Sequence, residues 1–213
     1  MTILQFGPTV LAEFNYRKDQ LFGVKYTVAS TPIVITSSGQ TQEDTSPDSQ
    51  GSSGFGDIAG ASENIIKPVS TDYSLVIEKI NANAKVIANV DPGVEKEYTA
   101  ALKEGIAEAK GSTKPGEPGN LFLFSHSTDA PWNISRYNAI FYLLRELEPG
   151  DRAIVYYQGR RYDYIVFDRV ITTPTDISYL INRYDKSVLT MQTCDPPGTT
   201  LNRLIVRAKL AGS

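Results

Sequence analysis

The sequence predicts a mainly β protein organised as a small closed barrel. From residue 70 onward, short runs rich in β-branched and aromatic residues recur, separated by Gly, Pro or Asn turns. Only two or three short segments have the apolar spacing of a helix. Many short strands with few helices favour a barrel, because closing the sheet removes its exposed edges. The 213 residues suffice for one core and an appendage.

The N-terminal third differs in composition from the rest. Residues 9–19 have a mixed apolar pattern that predicts a short helix, and a proline in residues 27–35 restricts that strand-like stretch to an edge or an arm. The Ser/Gly-rich stretch that follows has too few apolar side chains to offset the entropy of ordering it. We therefore predict three parts: an N-terminal arm over residues 1–36, a linker or flap over 37–69, and a barrel domain over 70–213.

Strands of the barrel domain are assigned by β-branched or aromatic content between turn residues. Before a final hairpin they cover residues 73–80, 85–90, 121–126, 152–157 and 162–170. A Gly/Pro-rich loop precedes the third of these strands.

Helices are predicted at two places, with a single helical turn at a third. The first covers residues 95–108, where apolar side chains recur at helical spacing. The second begins at Asn133 or Ser135 and stops at Pro149-Gly150. A long connection over residues 172–186 holds one helical turn near residues 176–179.

The final hairpin carries the first chemical signal. Residues 188–210 read VLTMQTCDPPGTTLNRLIVRAKL, an apolar strand that ends at the only cysteine, Cys194, followed by a Pro/Gly turn and a strand opened by Arg203. An antiparallel hairpin would bring the thiol and the guanidinium to one end of the sheet. Arg207 is a poorer candidate because four more residues carry it roughly 13 Å along the strand. A thiol beside a fixed positive charge is a candidate nucleophile.

The base that such a nucleophile needs is His126, the only imidazole in the sequence, which closes the strand over residues 121–126. Ser125 is no rival nucleophile, because consecutive strand residues point to opposite faces. By the same alternation Thr193 faces away from Cys194. A lone cysteine is more often a small buried hydrophobe, and a lone histidine is more often structural. The residues alone therefore argue only for a Cys/His/Arg acyl-transfer site.

Three motifs in family order resemble those of sortases, the cysteine transpeptidases of bacterial cell surfaces. Residues 189–194, LTMQTC, resemble the sortase signature TLxTC, with Met191 in place of the usual leucine. Residues 203–206, RLIV, resemble the strand that carries the sortase arginine, and residues 115–126, PGEPGNLFLFSH, resemble the run into the catalytic histidine. The resemblance covers roughly residues 70–210. It implies a closed barrel of about eight strands, with two or three short helices and an N-terminal extension.

The same resemblance implies a reaction and its residues. Cys194 would cleave the Thr-Gly bond of an LPxTG-like sorting signal, His126 would move the protons and Arg203 would stabilise the oxyanion. The thioacyl enzyme would then pass its acyl group to an amine, such as a cell-wall precursor or a pilin lysine, without a cofactor. Thr193 would support the oxyanion or the peptide through its backbone amide, and Trp132 is a candidate for the border of the substrate groove.

Some sortases use calcium, and three carboxylates here are candidates for such a site, although their spacing does not support one: Glu104, Glu108 and Asp168.

Composition excludes several other classes of protein. A net charge of −3 gives no bulk electrostatic case for nucleic acid. One cysteine excludes an internal disulfide and a multi-cysteine zinc site. The sequence has no apolar run long enough to span a bilayer. Because sortases generally carry a membrane anchor, the resemblance implies an ectodomain trimmed of that anchor, which works at the extracellular face of the bacterial membrane.

Two alternatives remain at this point. A different cell-wall cysteine transpeptidase, the L,D-transpeptidase, has an SHGCxR-like stretch that residues 190–197 do not fit. A non-catalytic adhesion or scaffold barrel would bury the thiol. A further hypothesis makes residues 36–67, or the arm before them, a regulatory lid across the groove.

Overall fold

A computed structural model describes residues 7–28, 64–127 and 140–212 of the chain. A closed barrel forms its centre, with the strands β3 (Tyr73–Ile77), β4 (Ala82–Val90), β5 (Ile106–Ala109), β6 (Gly119–Phe124), β7 (Arg152–Tyr157), β8 (Arg160–Thr172), β9 (Ser187–Asp195) and β10 (Asn202–Leu210). Two short strands, β1 (Tyr26–Thr27) and β2 (Asn64–Ile65), pair in parallel outside the barrel.

The described helices are short, and they are α1 (Gly7–Leu21), α2 (Glu95–Glu104), α3 (Ser178–Ile181) and the 3-10 helices η1 (Glu78–Ile80) and η2 (Tyr142–Glu146). No helix in these parts of the chain is long and apolar enough to cross a membrane.

The barrel runs in the order β10, β8, β7, β3, β4, β5, β6, β9 and closes on β10. The pairs β4 with β5 and β6 with β9 are parallel, and the other neighbours are antiparallel. The prediction of a closed barrel of about eight strands with short helices is confirmed. Fully buried side chains from facing strands, such as Leu75, Leu121 and Tyr164, fill the interior.

The predicted helix over residues 95–108 is wrong in its last part. The helix ends at Glu104, and Ile106–Ala109 form β5. Gly105 lies at this change, where a Cβ atom would collide with the carbonyl oxygen of Lys85. The backbone therefore passes β4 closely only because the residue has no side chain, and Ile106 then pairs with Val86.

Other boundaries differ by smaller amounts. The strand predicted over residues 73–80 ends at Ile77 and continues as η1, which Asn81 closes in the left-handed region. The helical turn expected near residues 176–179 is α3, which begins at Ser178. The helix expected between residue 133 and Leu147 is described only from residue 140, where η2 buries Leu144.

On the N-terminal side, the helix predicted over residues 9–19 is α1. Tyr16 of α1 is buried in the main core cluster, and Arg145 of η2 donates to Glu13 at 3.1 Å. Of the strand-like stretch predicted over residues 27–35, only the first two residues lie within the described part. Residues 37–63 of the linker or flap predicted over residues 37–69 also lie outside it, as does most of the hypothetical lid.

Candidate active site

The floor of the candidate site is the outer face of three neighbouring strands, β6, β9 and β10. Side chains of a strand alternate between faces. In β9, Leu189 and Met191 are fully buried in the barrel core, so Cys194 belongs to the outward set. By the same count, Arg203 of β10 is outward, because Leu204 and Val206 belong to the core.

Cys194 and Arg203 are direct partners across the antiparallel pair of β9 and β10. Side chains at such positions have Cβ atoms about 5 Å apart on the same face. The loop after Cys194 begins with a cis Asp195-Pro196 bond, and within it Thr199 donates from its backbone nitrogen to the oxygen of Pro196 at 3.0 Å. The thiol is free and partly exposed, whereas the scaffold alternative requires a sulfur sealed in the core.

His126 reaches the same end of the sheet from the other side of β9. The parallel ladder of β6 and β9 ends with Phe124 beside Gln192, and the backbone nitrogen of Ser125 donates to the oxygen of Gln192 at 3.2 Å. If the register is extended by two residues beyond the end of the ladder, position 126 falls beside position 194. His126 follows the outward-facing Phe124 by two positions, and Cys194 follows the outward-facing Gln192 by two positions, so both belong to the outer face.

Thr193 joins the two strand ends from inside the barrel. Its side chain is buried, and its hydroxyl donates to the backbone oxygen of Ser125 at 2.9 Å. The residue before the cysteine is therefore tied to the residue before the histidine. Together with the backbone bond from Ser125 to Gln192, this hydroxyl bond fixes the chain positions next to the thiol and the imidazole.

The two arginines of β10 have different surroundings. Arg203 donates to the backbone oxygens of Asn202 at 3.1 Å and Thr200 at 3.4 Å, and no described carboxylate forms an ion pair with it. Arg207 instead forms an ion pair with Asp168 and donates to the Tyr184 hydroxyl at 3.3 Å. Arg203 is therefore the guanidinium available to a substrate oxygen, and Arg207 is engaged in structure.

The β8–β9 connection (residues 173–186) lies over the outer face. At its start, Asp176 accepts hydrogen bonds from the backbone nitrogen of Ser178 at 3.0 Å and from the Thr172 hydroxyl at 2.6 Å. These hydrogen bonds hold the pKa of the Asp176 carboxyl below its ordinary value, and the larger effect comes from Ser178. Since Thr172 is the β8 partner of Arg203, the connection begins beside the candidate site.

The remaining sequence candidates are not brought to this place. Trp132 lies outside the described residues. Of the calcium candidates, Glu108 accepts a hydrogen bond from the Tyr73 hydroxyl and Asp168 pairs with Arg207. Over the described ranges no three His, Cys, Asp or Glu side chains gather in a way that could hold a metal ion. These residues do not fit a calcium site.

Two residues of the site had no signal in sequence reasoning. Asn120 and Thr190 are both buried, although both face outward on their strands. A polar residue flanked by apolar neighbours within a strand is the pattern that could have drawn attention to them. Their contacts hold the β8–β9 connection and are described below.

The arrangement is chemically suited to acyl transfer. A thiol, an imidazole and a guanidinium assigned to one outer face by strand alternation are the groups that a nucleophile, a proton carrier and an oxyanion donor require.

Comparison with known proteins gives the family of the chain. The Sortase domain profile matches residues 75–211. Sortase A from Corynebacterium diphtheriae is 26% identical, with a TM-score of 0.56, over 70% of this chain and 63% of that one. No curated protein matches.

Two further solved structures are similar in fold. Sortase C-1 from Actinomyces oris is 22% identical, with a TM-score of 0.57, over 68% of this chain and 77% of that one. A sortase D5 transpeptidase of Clostridium perfringens is 24% identical, with a TM-score of 0.53, over 69% of this chain and 82% of that one.

Proposed function

Because the chain belongs to the sortase family of cysteine transpeptidases, we propose that Cys194, His126 and Arg203 are its catalytic residues and that an LPxTG-like sorting signal is its substrate. The observation that carries the proposal is the strand register. Cys194 and Arg203 are cross-strand partners, and the ladder of β6 and β9 runs toward His126 and Cys194 together.

The first half-reaction forms a thioester and releases an amine. The Cys194 thiolate attacks the carbonyl carbon of the Thr-Gly bond, and the carbonyl oxygen becomes an oxyanion that accepts hydrogen bonds from Arg203. When the tetrahedral intermediate collapses, the carbon-nitrogen bond breaks and His126 protonates the departing amine. The acyl part of the peptide then remains on the sulfur.

The second half-reaction reverses these roles. An amine attacks the thioester carbonyl, His126 removes the proton from its nitrogen, and the Cys194 thiolate leaves. The acceptor is the amine of a cell-wall precursor or a pilin lysine, and water takes its place when no amine is present. Thr193 supports this chemistry through the strand geometry that its hydroxyl maintains, and Trp132 remains a candidate for the groove border.

Sortases typically work at the cell surface while anchored in the membrane. We infer the same location for this enzyme, at the extracellular face of a bacterial membrane.

Cleavage of a fluorogenic LPxTG peptide, with and without a glycine-based amine, tests the proposal. We expect hydrolysis without the amine and a ligated product with it. Cys194→Ala should abolish both reactions, and alkylation of Cys194 by iodoacetamide should slow in His126→Ala. Turnover by the Cys194→Ala variant would remove Cys194 from the mechanism, and alkylation indifferent to the imidazole would remove His126.

A further inference from the structure

The β8–β9 connection is held to the barrel by one buried amide. The side chain of Asn120, which is 2% exposed, donates from Nδ2 to the backbone oxygens of Tyr179 at 2.9 Å and Leu180 at 3.3 Å. Both acceptors belong to α3. Asn120 stands on β6, so this contact joins the outer face of the barrel to the part of the connection that lies above it.

Thr190 fixes the orientation of that amide. Its hydroxyl donates to Oδ1 of Asn120 at 2.7 Å, and Thr190 is fully buried on β9. An amide whose oxygen accepts from Thr190 must turn its nitrogen to the opposite side, toward the carbonyls of α3. The three-part network is thus satisfied in one arrangement only, which makes it a geometric constraint as well as a source of stability.

The helix α3 needs such a constraint. It has four residues, and its side-chain support at the start is the hydrogen bond from the Ser178 backbone nitrogen to Asp176, since the N-cap residue, Ile177, provides no side-chain cap. A helix of this length is not stable by itself, because nucleation costs more than its few hydrogen bonds return. Its position must therefore come from tertiary contacts, and Asn120 provides two of them.

A second contact holds the connection from the β10 side. The Arg207 guanidinium lies 5.4 Å from the centre of the Tyr179 ring and also bonds the Tyr184 hydroxyl. Next to these attachments in the chain, the connection presents two exposed apolar side chains, Ile177 and Ile181, at 60% and 59% exposure. They are the kind of surface that an apolar substrate residue would cover.

The distance from this network to the thiol matches a short stretch of peptide. Thr190 precedes Cys194 by four residues on the same face of β9, which is roughly 13 Å along a strand. An extended peptide with its scissile carbonyl at Cys194 would bring the residue three or four positions before that bond into the same region, at about 3.3 Å per residue. In an LPxTG-like signal, that residue is the leading leucine.

We propose that Asn120, oriented by Thr190, is a positioning residue that sets specificity for the leading apolar residue of the substrate. It fixes α3 and the isoleucines beside it, so that the pocket for this residue is formed before the peptide binds. Asn120 touches neither the thiol nor the scissile bond. The inference rests on the proposed function for its substrate.

The experiment compares two peptides that differ only in Leu or Ala at the first position of the LPxTG motif. In Asn120→Ala, we expect the preference for Leu, as a ratio of kcat/KM values, to fall by about tenfold, mainly through KM for the Leu peptide. Thr190→Val should act in the same direction with little change in shape, and Thr190→Ser should restore the preference. The rate of Cys194 alkylation should stay at the wild-type value in all three.

A matched control is available on another strand. Asn83 of β4 also holds a loop through its side-chain amide, which bonds the backbone oxygen of Lys67 at 2.7 Å and the backbone nitrogen of Val69 at 3.0 Å. Asn83→Ala should leave the preference unchanged. Wild-type preference in both Asn120→Ala and Thr190→Val, or an equal loss in Asn83→Ala, would overturn the proposal.

Amide hydrogen exchange separates this inference from the proposed substrate. Exchange at residues 177–181 should become faster in Asn120→Ala and in Thr190→Val, but not in Asn83→Ala. If the wild-type enzyme cleaves neither peptide, the proposed substrate is wrong. The positioning role of Asn120 is then tested by hydrogen exchange alone. Unchanged exchange at residues 177–181 would then overturn the positioning role of Asn120.

Discussion

Replacement of Arg203 by alanine should separate catalysis from stability. In the folded protein the Arg203 guanidinium is partly exposed and bonds two backbone oxygens, at 3.1 and 3.4 Å. Losing these bonds should lower the free energy of unfolding by no more than about 1 kcal/mol. Losing an oxyanion donor should lower kcat by about 10²-fold to 10³-fold, equivalent to roughly 3 to 4 kcal/mol of transition-state stabilisation.

Arg207→Ala, on the same strand, should have the opposite effect: a larger loss of stability and a smaller loss of kcat than Arg203→Ala. It removes the ion pair with Asp168 and the bond to Tyr184, so unfolding should become easier by about 1.5 to 3 kcal/mol. Its effect on kcat should be smaller than that of Arg203→Ala, because Arg207 is remote from the thiol. Arg203→Lys should fall between wild type and Arg203→Ala, since an ammonium cannot present a planar fork of donors.

The assay is steady-state cleavage of the fluorogenic peptide, together with urea unfolding of each variant. A wild-type kcat in Arg203→Ala would refute the role of Arg203 in catalysis. A kcat loss no larger than that of Arg207→Ala, accompanied by a large loss of stability, would refute the separation of the two arginines.

Three further predictions concern the support of the site and barrel. Thr193→Val removes the hydroxyl that donates to the backbone oxygen of Ser125, so it should lower the free energy of unfolding by about 1 to 3 kcal/mol and should lower kcat. Thr193→Ser keeps the hydroxyl and should keep both the stability and kcat of the wild type. Unchanged stability and kcat in Thr193→Val would contradict this. Tyr16→Ala should destabilise the protein by about 3 kcal/mol in urea unfolding, and a negligible loss would mean that α1 is not part of the folded unit. Burial raises the pKa of the Glu108 carboxyl in the folded protein. Its contribution to the free energy of unfolding is therefore complete below the ordinary pKa of 4.5 and is lost as the pH rises through the raised pKa of the folded state. Glu108→Gln should abolish this pH-dependent decline in the free energy of unfolding, and an unaltered pH profile in the variant would exclude the effect.

Local signals in the sequence were sufficient for the hairpin that carries the thiol. A β-rich run, a Pro/Gly turn and a second β-rich run determine an antiparallel pair, and the short loop makes Cys194 and Arg203 partners. The same alternation predicts that Thr193 faces away from Cys194, and Thr193 is indeed buried. Pattern and turn chemistry act over a few residues, and these features depend on nothing more distant.

The position of His126 is a different problem. β6 and β9 are parallel neighbours separated by more than sixty residues, as in the pair Phe124 and Gln192. No local pattern states which strands become neighbours, so the proximity of His126 to the thiol was predicted by elimination and by family resemblance. His126 was chosen because the sequence contains no other histidine, and not because any pattern indicates its position relative to the thiol.

Contacts to backbone atoms were the least predictable part. Asn120 bonds the carbonyl oxygens of Tyr179 and Leu180, and every residue type carries such an oxygen. The break between α2 and β5 depends likewise on the approach of Gly105 to the backbone of Lys85, which helical spacing does not reveal. Side-chain pattern cannot encode a partner that has no side-chain identity.

Capture of the thioester tests the central claim most directly. The enzyme is mixed with an LPxTG peptide, quenched in acid within the first turnover, digested and examined by mass spectrometry. The account predicts the acyl fragment ending in threonine on the peptide that contains Cys194, with less of it in Arg203→Ala and none in Cys194→Ala. Product formation with no adduct on Cys194, or an adduct on another residue, would contradict it.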